Sequence, residues 1–126
     1  MEIFTVFIFL ATLFLAYANG ANDNFKGVAT LYGSGTTNYK KSLIYATMTT
    51  ALGSMMALYL ASELIIVFKG KGLVPDDVIK MQVFPLAVGT GAALTVMTAT
   101  FFNLPVSTTH ALIGALAGAG WVSSET

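Results

Sequence analysis

The sequence predicts an all-α membrane protein: about three transmembrane helices plus a re-entrant helical hairpin or a fourth helix, with broken helices at its site. Three observations predict it. The 126 residues are 56% hydrophobic and 10% charged, whereas soluble domains carry roughly a quarter charged residues. Charge is absent from residues 3–22, 42–62 and 81–124, and a helix crosses the bilayer core with about 20 residues. The third charge-free stretch is about twice that length and contains Pro105. It should therefore hold two passes, or one pass and a re-entrant hairpin.

Composition also excludes some classes of function. Six basic residues balance six acids, which leaves no electrostatic footprint for nucleic acid. Cysteine is absent, so a disulfide framework and a thiolate metal site are both excluded. The length suits one unit, residues 1–126 as a single membrane domain. The N-terminal apolar run has the length of a signal peptide, and Ala16-Tyr17-Ala18 resembles a cleavage site. Its leading residues carry Glu2 and no basic side chain, so it is expected to stay as a membrane segment.

In chain order, the first apolar segment covers about residues 3–18 and is rich in Phe, Leu, Ile and Val. Residues 25–32 suit a short helical piece, and Gly33 to Asn38 reads as a loop. The second segment covers about 42–68, with Gly53, Ser54, Ala57 and Ala61 as a small-residue face for close helix contact. Glu63 near its far end is expected to reach the interface. Residues 69–80 form a polar connector, and Pro75-Asp76-Asp77 has the chemistry of a helix start. The third segment covers about 78–102, bent at Pro85 and packed through Gly89, Gly91, Ala92 and Ala93. Lys40 and Lys41 favour a cytoplasmic first loop and hence an outside N-terminus.

Two polar insertions interrupt this pattern. The first is NGANDN, residues 19–24. Its amide and carboxylate oxygens are hard ligands suited to a small cation, and a broken helix would free backbone carbonyls beside them. An acid at membrane depth is a functional-site hypothesis by default, which singles out Asp23. The bland alternative is an interfacial loop where a first crossing ends.

The second insertion covers residues 103–120, NLPVSTTHALIGALAGAG. Pro105 breaks the backbone, and Ser107, Thr108 and Thr109 then place three hydroxyls at an expected helix N-terminus. Hydroxyl donors, free backbone N–H groups and the positive end of a helix dipole suit an anion. Capping and interhelical bonding are the structural alternative. Gly114 and Gly118 have helix-packing spacing, and His110 reads as a gating or packing residue. A Ser107–His110 nucleophilic pair lacks an identifiable orienting group, so no enzymatic chemistry is expected. Paired, the insertions suggest coupled binding of an anion and a small cation.

At these two places the chain resembles the inorganic phosphate transporter (PiT) family of sodium- or proton-coupled phosphate symporters. The family's GAND signature stands here as Gly20-Ala21-Asn22-Asp23, and its P-x-S-T-T-H hairpin as Pro105-Val106-Ser107-Thr108-Thr109-His110. The family pattern often continues as GANDVANA, whereas this chain has Asn24, Phe25 and Lys26. A lysine at position 26 replaces an amide, where it could attract phosphate or snorkel outwards.

The resemblance implies phosphate transport across the cell membrane by alternating access, with sodium or a proton as coupling ion and no other cofactor. It implies a phosphate site of Asn22, Asp23, Ser107, Thr108 and Thr109, with sodium at Asn22 and Asp23. It also implies two inverted copies of this unit, of which one is present. The expected partners are inorganic phosphate, the lipid bilayer, and a second transporter half or an antiparallel copy of the chain. The rival expectation is a non-transporting subunit whose glycine and alanine faces serve helix packing alone.

Overall fold

A computed structural model describes residues 2–61 and 74–124. The described residues form helices joined by turns: α1 (Glu2–Asp23), a 3-10 turn (Lys26–Val28), α2 (Ala29–Gly33), α3 (Tyr39–Leu60), α4 (Asp76–Ile79), α5 (Val83–Phe101) and α6 (Thr108–Ser124). Three stretches are long and apolar enough to cross a membrane: Glu2–Gly33, Tyr39–Leu60 and Val83–Phe101. The end of the expected second segment, with Glu63, and the connector lysines Lys69 and Lys71 lie outside the described residues.

α1, α5 and α6 make the packed unit. Ala11 lies nearest Gly89 and Asn22 bonds Thr100, equal steps along both helices, so α1 and α5 run parallel. α6 turns back against α5 and meets it where Gly91 faces Ala115. Ala92, Ala93 and Val96 of α5 are fully buried. Small side chains there let helix backbones approach closely, which is how helices associate without a hydrophobic drive between them in lipid. One end is closed by Val74, Val78, Phe84, Val88 and Leu116.

α3 stands apart. Its start is capped by the Asn38 side chain, which accepts the Lys41 backbone N–H at 2.9 Å. Its main contacts are with the 3-10 turn and α2. Leu58 and Tyr59 are each 85% exposed, a surface that water would not tolerate over so long an apolar helix and that lipid or another subunit would cover.

Four expectations need correction. The polar cluster does not break α1: the helix runs through Asn19, Gly20 and Asn22 to Asp23, and the interruption follows at Asn24–Phe25. One glycine costs a helix only about 1 kcal/mol, which packing of α1 along α5 outweighs. The third segment begins later than expected, at Val83, because α4 is a separate turn started by Pro75. Pro85 therefore sits in the first turn of α5, where backbone N–H groups have no intrahelical acceptor; it opens the helix instead of bending its middle. Gly53, Gly114 and Gly118 face open space, so among the described residues close approach falls to Gly89, Gly91 and Gly120.

Candidate functional site

The site forms where three helix ends meet, and local chain chemistry explains each end. Asn19, Asn22 and Asp23 are spaced by three and four residues, so continuous α1 presents them on one face. Lys26 continues that spacing into the 3-10 turn. α5 ends at Asn103, whose φ of 55° is the left-handed conformation that asparagine tolerates better than most residues. The Leu104 N–H then bonds the Ala99 carbonyl at 2.8 Å and the Asn103 N–H bonds that of Thr100 at 3.1 Å, a Schellman closure. Pro105 follows, and Ser107 accepts the His110 backbone N–H at 3.4 Å as the cap of α6.

This connection is laced to the end of α1. The Asn22 amide donates to Thr100 Oγ1 at 3.0 Å and to the Leu104 carbonyl at 3.3 Å. Its oxygen accepts from the Val106 N–H at 3.5 Å and from Lys26 Nζ at 2.6 Å. The same ammonium donates to Asp23 Oδ1 at 2.5 Å and to the Val106 carbonyl at 3.1 Å. The Thr108 hydroxyl faces the Asn19 side-chain oxygen and lies 3.3 Å from Asp23 Oδ2. Asp23 thus stands at the C-terminal end of α1, where a helix dipole disfavours it, but beside the N-terminus of α6 and an ammonium, which favour it.

An open cavity of about 750 Å³ adjoins these groups, lined by Asn19, Asp23, Lys26 and the run Pro105 to Thr109, with Leu112. It combines hydroxyl donors, a helix N-terminus, one cation and one carboxylate. Asn22 lines instead a smaller cavity of about 240 Å³ with Thr100 and Leu104, and Lys26 borders both. Asn24 points away and pairs with Thr47 and Thr50 of α3.

Of the residues singled out from sequence, the structure brings Asp23, Ser107, Thr108 and Thr109 to one cavity and sets Asn22 just behind it. Ser107 takes the capping role given as its structural alternative, and Thr108 is engaged by α1. The His110 side chain is exposed, and its backbone N–H, not its ring, meets Ser107 Oγ. Sequence reasoning missed Thr100, named Asn19 only as part of the insertion, and left the course of Lys26 open. The i, i+3, i+4, i+7 spacing of positions 19, 22, 23 and 26 was the available signal; the broken helix expected at residues 19–24 concealed it.

Apolar, lipid-suited helix surfaces around a polar cavity define a multi-pass integral membrane protein. Residues 19–126 match the family described as the phosphate transporter family, and the chain belongs to that family. It is 36% identical over 125 residues to the "Sodium-dependent phosphate transporter" of Plasmodium falciparum, with 88% of this chain and 17% of that protein covered. It is 28% identical over 111 residues to the "Sulfate permease CysP" of Bacillus subtilis, with 88% of this chain and 30% of that protein covered. The chain therefore spans less than a third of the length of these relatives. No solved structure matches it.

Proposed function

We propose that this chain supplies one of the two inverted units of a phosphate transporter of the cell membrane, working with a second half that holds the other by alternating access in symport with a cation, sodium or proton. The observation that carries the reading is one cavity shared by Asp23, Lys26 and the Ser107–Thr109 start of α6, in a member of a phosphate transporter family. Monobasic phosphate has both the P–OH donors that a carboxylate accepts and the bare oxygens that a helix N-terminus and hydroxyls donate to. Sulfate, named in one relative, lacks the P–OH groups and offers the Asp23 carboxylate no donor. Membrane potential supports the need for a cation: one negative charge entering an inside-negative cell costs about 2.3 kcal/mol per 100 mV.

The test is phosphate uptake by the complete assembly in liposomes. Asp23→Asn should lower uptake at least tenfold, and sulfate should compete poorly. Undiminished uptake by Asp23→Asn would reject this site. A chain serving helix packing alone would show no phosphate-dependent thermal shift in detergent, and labelling of Ser107 by a serine-directed probe would favour hydrolase chemistry.

A further inference from the structure

The oxygens that should hold a metal ion already hold a cation. Lys26 Nζ lies 2.5 Å from Asp23 Oδ1, 2.6 Å from Asn22 Oδ1 and 3.1 Å from the Val106 carbonyl. A lysine ammonium has three donors and no acceptor, so these three oxygens satisfy it. They come from a carboxylate, an amide and a backbone carbonyl, the hard ligand types that suit a small cation. They also come from two parts of the chain, the end of α1 and the turn before α6. An alkali ion would need the same oxygens and would meet the ammonium's charge at contact distance.

We infer that Lys26 is a tethered substitute for an alkali cation at the Asn22–Asp23 place, so that this half receives its oxyanion without sodium bound there. The ammonium neutralises the Asp23 carboxylate before the anion arrives and stays behind when the anion leaves. It also ties the turn at Val106 to α1, as a bridging ion would. Sodium coupling, where the assembly uses it, is then left to the second half. The inference rests on the proposed function for the identity of the anion, but the occupancy of the cation place can be read without any anion.

The test uses the complete assembly in detergent, with radiosodium in equilibrium dialysis and radiophosphate in a parallel titration. Relative to the unaltered protein, Lys26→Asn should gain one sodium equivalent per chain, Lys26→Gln should behave likewise, and Lys26→Arg should gain none. Replacing sodium with choline should weaken phosphate binding at least about tenfold more in the amide variants than in the unaltered protein, or 1.4 kcal/mol. Equal sodium content in the unaltered protein and the folded amide variants would overturn the inference while leaving phosphate transport standing. A sodium dependence of phosphate binding equal in the unaltered protein and the folded amide variants would overturn it as well. The expected sodium gain with no phosphate binding would uphold the cation substitution and reject the phosphate reading.

Discussion

At the residue scale, Thr108 and Thr109 are neighbours in sequence with different work. The Thr108 hydroxyl faces Asn19 and Asp23, so it holds the start of α6 against α1 as well as bordering the cavity. Thr109 lines the same cavity and is exposed. Removing a hydroxyl that bonds a partly buried acid and amide leaves both without that partner, a loss of about 1 kcal/mol. Thr108→Ala should therefore lower both detergent-phase thermal stability and phosphate affinity, and Thr108→Ser should restore both. Thr109→Ala should weaken phosphate binding with the melting temperature unchanged. Equal stability losses in the two alanine variants would refute this division of roles.

At the element scale, the site depends on how α5 ends. Asn103 in the left-handed region turns the chain so that the Leu104 and Val106 carbonyls come back to Asn22 and Lys26. A β-branched residue pays about 1–2 kcal/mol in that conformation and glycine pays none. Asn103→Val should destabilise the protein by that amount in thermal unfolding and loosen phosphate binding, whereas Asn103→Gly should do neither appreciably. The elements themselves were largely legible from sequence, because charge-free runs and Pro105 are local signals. The end of α1 was not. Whether Gly20 breaks a helix depends on packing along α5, which no local pattern reports. Pro85 failed for a related reason: proline disrupts a helix interior but not a first turn, and its position could be judged only after the boundary at Val83 was known. The course of Lys26 was equally hidden, since snorkelling outwards and folding inwards differ only in what lies on the far side, and that is the Val106 carbonyl, 80 positions away in sequence.

At the scale of the whole molecule, the cavity is open and the apolar surface is unmatched among the described residues. The polar groups that could hold an oxyanion line one wall, while α3 and the outer face of α1 expose large apolar side chains such as Leu58, Tyr59, Phe7 and Phe9. Lipid covers such surfaces, but lipid cannot close a polar cavity, because unsatisfied polar groups in hydrocarbon cost several kcal/mol each. A second half with its own broken helices would supply both the missing wall and the moving surface that alternating access needs. A monomer of the 126-residue chain should therefore bind phosphate weakly and fail to concentrate it in liposomes, whereas its pairing with a second half should give uptake that Asp23→Asn abolishes. Cross-linking in detergent separates the two possible partners. An antiparallel pair of identical chains would give a homodimer competent by itself, and a dedicated second half would leave this chain inactive until it is added. Concentrative uptake by a cross-linking-proven monomer would show that the open cavity needs no second wall, and the half-transporter reading would fall with it.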